Sequence, residues 1–354
     1  MTDLLSLTPD QARARLVSWL AARGEPSYRE AQIVPRLWQR PVAAWFDATE
    51  LPGSLREALD AEFPLLRLRL TSHQVSRDGT QKFLWTLHDG EAIESVLIPE
   101  GRRRTLCVSS QAGCALGCVF CATGRMGFRR HLTAAEIAGQ VRELVLRDRA
   151  LTPTNVVFMG MGEPLHNWGA VDTALTILNA REGCGMGARH ITVSTVGILP
   201  NLAHFAARPE QFRLAVSLHA PTSTQRLALM PVERKYRLPD LLAALRAFRR
   251  RVTLEYVLIG GVNDDLETAD ALAAIAHPLG ALINLLPLHP GGAPELSPSP
   301  PARMRAFVER LTSRGVRAVL RRSRGLDIAA ACGQLRVEVE GRRKIATEEH
   351  AHIE

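Results

Sequence analysis

Apolar residues recur at helical spacing through residues 1–70 of the chain. The segments that carry this spacing are "DQARARLVSWLAAR" and "SLREALDAEF", with proline and glycine breaks between them. Such a pattern predicts amphipathic helices whose ends lie at the breaks. We therefore expect residues 1–75 to form a small helical domain.

After this region the pattern changes to short apolar runs of the strand type. The runs are "QKFLWTL", "AIESVLIP" and "RTLCVSS", separated by turn-forming residues in "HDGE" and "EGRR". Apolar runs bounded by such turns predict two or three antiparallel strands. We expect this antiparallel extension to occupy residues 76–104.

From about residue 105, β-type apolar runs alternate with helical stretches. The runs are "TLCVSSQ", "NVVFMG", "HITVSTVG", "FRLAVSLHA", "VTLEYVLIGG", "ALINLLPL" and "VRAVLRR". One intervening segment opens with Thr133 and Glu136 at the spacing of a capping box, which marks the start of a helix. The alternation predicts an α/β fold with a parallel sheet, as a partial (β/α)6-type barrel over residues 105–345 or, alternatively, a doubly wound open sheet. In both, functional residues gather at the carboxyl ends of the strands.

Composition and charge narrow the class of protein. The 354 residues are 46% hydrophobic and 23% charged, which is ordinary for a globular protein of about two domains. The net charge of +8 favours either solvated arginine-rich faces or a polyanionic partner such as RNA or DNA. The first residues resemble neither a signal nor a transit peptide, and no apolar run approaches the roughly 20 residues that span a bilayer. We expect a cytoplasmic protein without a membrane partner.

Four of the six cysteines lie within residues 106–128, "LCVSSQAGCALGCVFCATGRMGF". Cys114, Cys118 and Cys121 form a C-x3-C-x2-C pattern directly after the first barrel-type strand. In a cytoplasmic chain such clustering indicates a metal or redox site rather than structural disulfides. A structural zinc site needs four ligands, and His131 is the candidate for the fourth. Three thiolates suit a [4Fe–4S] cluster that leaves one iron open to a cofactor.

The C-x3-C-x2-C pattern in this place resembles the radical S-adenosylmethionine (SAM) superfamily. The longer segment resembles the rRNA adenine C2-methyltransferases of the RlmN type, with the Cfr type as a sister group. Further segments that match are "GMGEPL", "HITVSTVGILP", "LAVSLHAP" and "LDIAAACGQL", while the N-terminal "GEPSYREAQI" is similar to that family's RNA-binding domain. The resemblance runs from about residue 5 to residue 340. It implies a radical SAM barrel that holds a [4Fe–4S] cluster on Cys114, Cys118 and Cys121 and uses two SAM molecules per turnover.

The resemblance also implies a set of SAM contacts. These are Gly162, Glu163, Ser194, Ser217, Leu218, His219 and His289. By its chemistry alone, Glu163 can either accept a hydrogen bond from an ammonium group or cap a loop. The chain departs from the family at His289, which stands where an asparagine is usual, and at Met126 and Ala329. These departures leave open a divergent homologue with another RNA target.

Three further residues acquire roles through the resemblance. Cys332 is implied to carry a methyl group that reaches adenine by radical addition, because C2 of adenine is electrophilic and a sulfonium cannot methylate it directly. Cys107 is implied to release the resulting protein–RNA adduct by forming a disulfide bond with Cys332, and Glu94 to accept the C2 proton. On sequence alone, a surface carboxylate on an antiparallel strand is the favoured interpretation of Glu94. Cys184 has no counterpart, and we expect it to be structural.

The implied substrates are RNAs. They are adenosine 2503 of 23S rRNA and, as a second candidate, adenosine 37 of tRNAs, with methylation at C8 or at another RNA site as the alternative. We also expect a reducing electron donor such as flavodoxin, and we expect the protein to be a monomer. An iron–sulfur electron carrier would need a fourth cysteine ligand, and a non-catalytic RNA-binding protein would leave Cys107 and Cys332 without a role.

Overall fold

Twelve strands occur in the computed structural model, which describes residues 3–289, 293–331 and 333–335. They are β1 (Arg69–Val75), β2 (Gln81–Thr86), β3 (Ala92–Glu100), β4 (Arg103–Cys107), β5 (Gln111–Gly113), β6 (Phe128–His131), β7 (Asn155–Phe158), β8 (Ile191–Thr195), β9 (Arg213–Ser217), β10 (Val252–Leu258), β11 (Leu282–Pro287) and β12 (Arg317–Leu320).

Helices connect these strands and precede them. Within the same residues they are α1 (Pro9–Ala22), α2 (Arg29–Ile33), α3 (Gly53–Glu62), α4 (Ala122–Arg125), α5 (Ala134–Arg147), α6 (Trp168–Asn179), α7 (Leu199–Ala207), α8 (Ser223–Leu229), α9 (Leu238–Ala247), α10 (Leu266–Ala276) and α11 (Pro301–Ser313). In this part of the chain no helix is both long enough and apolar enough to span a lipid bilayer.

Ten of the strands form one sheet in the order β1-β2-β3-β4-β7-β8-β9-β10-β11-β12. The first four pair antiparallel, and every pair from β4–β7 to β11–β12 is parallel. Each of the seven β-type runs predicted from residue 105 onwards forms one of the seven parallel strands. The predicted α/β class, with an antiparallel extension ahead of a parallel sheet, is confirmed, and the parallel part has seven strands where the (β/α)6 description implies six.

Two features of the sheets were not predicted. Strand β1 lies inside the region expected to be helical, and its residues alternate between exposed and half-buried, so it contains no buried apolar run to detect. Strands β5 and β6 pair in a separate small sheet on either side of the cysteine pattern. Because β5 has three residues, pairing with β6 rather than local sequence decides its conformation.

Helix α5 begins at the capping box that the sequence predicts. The Thr133 hydroxyl accepts a hydrogen bond from Glu136 N at 3.1 Å, and the Glu136 carboxylate accepts one from Thr133 N at 2.9 Å. These reciprocal bonds satisfy two backbone donors that the first helical turn otherwise leaves unused. Residues 134–144 of α5 are all buried, since the helix lies between the sheet and the N-terminal helices.

The N-terminal helices share one hydrophobic core with the barrel. The buried guanidinium of Arg142 on α5 donates to Leu37 O at 2.9 Å and to Val42 O at 2.6 Å. Burial lowers the pKa of Arg142 to about 10, so it is still charged at neutral pH. A charge-assisted bond to each of two carbonyls fixes the N-terminal helices on the barrel.

The two edges of the large sheet are linked by residues that follow β12. We call residues 325–331 and 333–335 the C-terminal segment. Asp327 accepts hydrogen bonds from Ser76 Oγ at 2.5 Å and Arg77 N at 3.1 Å, and Gly325 N donates to Asp78 Oδ2 at 3.0 Å. Because the turn between β1 and β2 lies at the opposite edge from β12, these bonds require the sheet to curve as a barrel does.

Candidate active site

The carboxyl ends of the parallel strands carry the predicted site residues. Cys107 ends β4, the loop after β7 carries Glu163, Ser194 lies near the end of β8, and Ser217 ends β9. Parallel neighbours place these ends at one edge of the sheet. The structure therefore brings together residues that are far apart in sequence, as the predicted fold requires.

The cysteine loop is held by backbone hydrogen bonds on both sides. Cys114 N donates to Gly127 O at 2.9 Å, which closes the loop between β5 and β6, and Val119 N donates to Leu229 O at 3.0 Å on helix α8. Gly113 has φ +75°, and a Cβ atom there would lie 2.0 Å from Gly127 O. The close approach of the two chains thus requires glycine at position 113.

The three cysteines of the pattern have the chemistry that a [4Fe–4S] cluster needs. Cys114 and Cys118 are buried and Cys121 is half-buried. Burial raises the pKa of the Cys114 thiol to about 12 and that of Cys118 still further, so a positively charged centre is needed to keep them as thiolates. Among the described residues no three His, Cys, Asp or Glu side chains could hold a single metal ion. Cluster thiolates bind different iron atoms, so they need not converge on one point, and the donor set fits the cluster.

Glu163 joins the loop after β7 to the loop after β8. Its carboxylate accepts hydrogen bonds from Thr195 Oγ1 at 2.6 Å, Val196 N at 3.0 Å and Leu165 N at 3.0 Å. Burial raises its pKa to about 7. Two of these bonds reach Oε1 and one reaches Oε2, so Oε2 retains a lone pair for a cationic donor. The residue thus caps a loop and keeps the capacity to bind an ammonium group.

Gly162 and Gln111 pack against each other beneath this loop. Gly162 has φ +98°, and a Cβ atom there would lie 2.5 Å from Gln111 Cβ. Gln111 Oε1 accepts a hydrogen bond from Glu163 N at 2.8 Å, and its amide nitrogen lies 3.0 Å from His131 Nδ1. His131, the candidate fourth zinc ligand, therefore interacts through Nδ1 with a residue that supports the Glu163 loop.

Ser109 and Gln140 connect this loop to strand β3. The Ser109 hydroxyl donates to Glu94 O at 2.6 Å and accepts from Met161 N at 2.9 Å. The side-chain amide of Gln140 pairs with both backbone groups of Ser109 at 2.9 Å. Sequence reasoning missed Ser109, Gln111 and Gln140. The run of polar residues "SSQ" directly after an apolar strand is the signal that could have found the first two.

His219 is held as a neutral imidazole beside the cysteine loop. Its Nδ1 accepts a hydrogen bond from Val257 N at 3.0 Å, which places the proton on Nε2, and burial lowers its pKa to about 3. The ring lies edge-on to Phe120 with centroids 4.7 Å apart. Its backbone has φ +58°, a conformation that non-glycine residues rarely adopt. The preceding Leu218 is fully buried, and its N donates to Glu255 O at 3.1 Å.

A row of polar side chains crosses the inner face of the barrel. Ser217 on β9 is in register with Glu255 on β10, which is in register with Asn284 on β11. The Asn284 amide donates to Glu255 Oε1 at 2.9 Å, and burial raises the pKa of Glu255 to about 7. The predicted Ser194 and Ser217 are both half-buried here. Glu255 and Asn284 were missed, because their runs "VTLEYVL" and "ALINLLPL" are strand-like and mostly apolar.

The residues that depart from the family pattern have defined surroundings. His289 follows β11, its Nε2 lies 2.7 Å from Ser323 Oγ, and burial lowers its pKa. Ala329 has φ +47° in the C-terminal segment. Met126 directly follows helix α4, and its N donates to Ala122 O. His289 thus lies at the same edge of the sheet as the other predicted SAM contacts.

Glu94 and Cys107 occupy one face of the antiparallel strands. Val96 pairs with Cys107 across β3 and β4, and Glu94 lies two residues from Val96, so all three side chains point to the same face. Glu94 is 2% exposed and Cys107 is 8% exposed. Glu94 is therefore a buried carboxylate diagonal to Cys107 and not the surface group that its sequence alone permitted.

Cys332 lies outside the described residues, but its sequence neighbours do not. Gly333 O accepts a hydrogen bond from Ala122 N at 2.7 Å, directly after the last cysteine of the pattern, and Ala331 is buried. No disulfide bond joins any two of the five cysteines that the structure describes. Burial raises the pKa of Cys184 to about 12, which suits a structural thiol.

Comparisons with known proteins agree with this geometry. Residues 108–272 match the radical SAM superfamily. The "Probable dual-specificity RNA methyltransferase RlmN" of Gemmatimonas aurantiaca is 57% identical over 354 residues, which covers 100% of this chain and 98% of that protein. The "Dual-specificity RNA methyltransferase RlmN" of an Anaeromyxobacter species is 45% identical and covers 95% and 91%. The crystal structure of a radical SAM methyltransferase from Sphaerobacter thermophilus superposes with a TM-score of 0.90 at 43% identity, over 95% of this chain and 99% of that one.

Proposed function

This chain belongs to the RlmN family within the radical SAM superfamily, and on that premise we propose that it methylates C2 of adenosine in RNA. The proposed substrates are adenosine 2503 of 23S rRNA and, second, adenosine 37 of tRNAs. The relatives are named dual-specificity RNA methyltransferases, and the net charge of +8 is compatible with a polyanionic partner. We further propose that the protein acts in the cytoplasm as a monomer with a flavodoxin-like electron donor.

Membership of the superfamily implies a [4Fe–4S] cluster and SAM as cofactors. Cys114, Cys118 and Cys121 would hold the cluster, which together with bound SAM supplies a 5′-deoxyadenosyl radical. The SAM contacts would come from residues at the carboxyl ends of the strands, namely Gly162, Glu163, Ser194, Ser217, Leu218, His219 and His289. Within that set, Oε2 of Glu163 can accept from the SAM ammonium, and Nε2–H of His219 can donate.

Cys332 serves as the methyl carrier in this proposal. Its thiolate takes a methyl group from a first SAM by nucleophilic displacement, which forms a carbon–sulfur bond and releases S-adenosylhomocysteine. Transfer of one hydrogen atom from the S-methyl group to a 5′-deoxyadenosyl radical would then leave a carbon radical that adds to C2 of adenine. This route suits an electrophilic ring carbon, which a sulfonium cannot methylate directly.

Release of the RNA requires Glu94 and Cys107. Once the adduct has lost one electron, which a cluster held by Cys114, Cys118 and Cys121 would accept, Glu94 accepts the C2 proton and the ring becomes aromatic again. The Cys107 thiolate then attacks the sulfur of Cys332. The carbon–sulfur bond breaks, its electron pair stays on the methylene carbon, and a proton converts that carbon into the new methyl group. A Cys107–Cys332 disulfide remains, and an external reductant must reduce it before the next turnover.

One observation carries this assignment beyond the family name. Glu94 and Cys107 are buried on the same face of β3 and β4, although thirteen positions separate them in sequence. A proton acceptor and a resolving thiol must reach the same adduct, so their shared face supports their paired roles. The described neighbours of Cys332 approach the cysteine loop through Gly333 and Ala122, which supports its proposed role as well.

Nucleoside mass spectrometry of 23S rRNA and tRNA from a deletion strain tests the proposal. We expect 2-methyladenosine to disappear and to return when the wild-type chain is supplied on a plasmid. A strain whose 2-methyladenosine is unchanged in both RNA pools would contradict the substrate assignment. If 8-methyladenosine disappears from the deletion strain instead, C8 is favoured as the site of methylation.

A further inference from the structure

A buried lysine lies beside the proposed proton acceptor. Lys82 on β2 is 4% exposed. Its Nζ lies 3.6 Å from Glu94 Oε1, and the side chains of both residues are almost completely shielded from solvent. Buried ammonium groups require a partner, because the loss of hydration is otherwise uncompensated.

The pairing of the strands places Lys82 on the face that carries the release residues. Lys82 is in register with Val96, and Val96 is in register with Cys107. Glu94, in register with Leu84, lies one row along the same face. Lys82, Glu94 and Cys107 therefore come from three adjacent strands and point to one side of the sheet.

Lys82 also contacts the C-terminal segment. Its Nζ donates a hydrogen bond to Ala329 O at 3.4 Å, three positions before Cys332. Ala329 has φ +47°, a backbone conformation that residues with a Cβ atom rarely adopt. Bonds from Ser76 and Arg77 to Asp327 hold the same segment. Lys82 thus bridges the carboxylate of Glu94 and the backbone that leads to Cys332.

We propose that Lys82 is a positioning residue for release of the RNA: its ammonium holds the Glu94 carboxylate in place and couples it to the C-terminal segment. This inference rests on the proposed function. A buried carboxylate that accepts a proton must first be ionised, and a neighbouring cation stabilises that form.

The test follows single turnovers of the Lys82→Met enzyme, reconstituted with its cluster, on RNA with hydrogen or deuterium at the target C2. We expect Cys332 to be methylated and the adduct to form as in the wild type. Release of the RNA should slow at least tenfold. The ratio of the release rate with hydrogen at C2 to the release rate with deuterium at C2 should be larger than in the wild type. That ratio reports removal of the C2 proton, which a general loss of stability would not alter selectively.

Further variants keep the test decisive. Lys235→Met removes an exposed lysine and should leave release unchanged. In a double-mutant cycle, Lys82→Met should add no further defect to Glu94→Gln, because both act on one step. Additive effects, or a Lys82→Met enzyme with wild-type release and isotope ratio, would overturn the proposal.

If Cys332 is not methylated in the Lys82→Met enzyme, the test uses the Lys82→Arg and Lys82→Gln enzymes in its place. The charged variant must release RNA faster than the neutral one, and equal rates would overturn the proposal. These outcomes differ from a failure of the proposed function, in which the wild-type enzyme itself would form no 2-methyladenosine.

Discussion

The side-chain amide of Asn263 donates a hydrogen bond to the backbone carbonyl of His219 at 2.9 Å. The same amide donates to Val257 O at 2.8 Å, and its oxygen accepts from Ile259 N at 2.8 Å. Asn263 thereby ties the loop after β10 to His219, whose backbone lies in the left-handed region. A strained residue persists only where its surroundings hold it, and Asn263 is a principal part of those surroundings.

Replacing Asn263 by aspartate should therefore weaken SAM binding. The variant loses two donors and places a carboxylate against the carbonyls of His219 and Val257, at a cost of about 1–3 kcal/mol. We expect the dissociation constant for SAM, measured by equilibrium binding to the reconstituted enzyme, to rise about tenfold or more. Iron content should stay at the wild-type level, since the cysteine loop is not altered.

A matched control is Asn179→Asp. Asn179 also donates its side-chain amide to a backbone carbonyl, that of Met186, at 2.8 Å, but it ends helix α6 away from His219. SAM affinity equal to that of the wild type is expected for this variant. If Asn179→Asp and Asn263→Asp weakened SAM binding equally, the specific role of Asn263 would be refuted.

Gly162→Ala should abolish SAM binding, whereas Gly169→Ala should not. The first places a Cβ atom 2.5 Å from Gln111 Cβ at φ +98°, so the loop that carries Glu163 must move. The second adds a methyl group where no atom lies within 4 Å, on helix α6, and should stabilise the protein by up to about 1 kcal/mol. SAM binding and thermal denaturation of the two purified variants distinguish these outcomes, and a Gly162→Ala enzyme with normal affinity would contradict the assignment of this loop.

Cys107→Ala should trap the protein on its RNA. Without the resolving thiol, the carbon–sulfur bond to Cys332 cannot be exchanged for a disulfide bond, so a covalent adduct accumulates. A band shift that survives denaturation and disappears on nuclease treatment measures it. Cys332→Ala lacks the methyl carrier and should form no adduct.

The double variant provides the internal control for this pair. Cys107→Ala/Cys332→Ala should behave like Cys332→Ala, because the carrier acts before the resolving thiol. Normal methylation of RNA by either single variant would show that the two-cysteine mechanism does not operate in this enzyme.

Glu255 should make the protein less stable as the pH rises. Burial raises its pKa from 4.5 to about 7, so between these values the folded state keeps a proton that the unfolded state has lost. Stability is therefore lost as the pH rises towards 7 and levels off above it. Glu255→Gln retains an acceptor for Asn284 without a titratable group. Between pH 5 and pH 8 the free energy of unfolding of the wild type should fall relative to this variant by on the order of 2 kcal/mol.

Thermal denaturation of both proteins without added SAM at the two pH values checks this prediction. The hydrogen bond from Asn284 and the positive charge of Arg321 both oppose the raised pKa of Glu255, but burial has the larger effect. A wild type that gains stability relative to Glu255→Gln on going from pH 5 to pH 8 would show that Glu255 is ionised in the folded state.

Much of the fold could be predicted because its signals are local. The apolar runs that became β4 and β7–β12 are short and bounded by helical stretches, and the capping box at Thr133 and Glu136 marked a helix start. Strand β1 escaped prediction, since an edge strand without buried residues leaves no apolar pattern. Lys82, Ser109, Asn263 and Glu255 escaped for another reason: each is one polar residue, and its partners come from distant parts of the chain.

The sequence by itself determined the α/β class, the three-cysteine pattern and the resemblance from which family and cofactors follow, because spacing and residue type are properties of the chain alone. Only the tertiary structure decided that Glu94 is buried rather than exposed, that Glu94, Cys107 and Lys82 share one face, and that the C-terminal segment lies against the turn between β1 and β2. Strand pairing sets which side chains share a face, and barrel curvature sets which ends of the chain meet. Both depend on contacts between residues far apart in sequence, which no local pattern records.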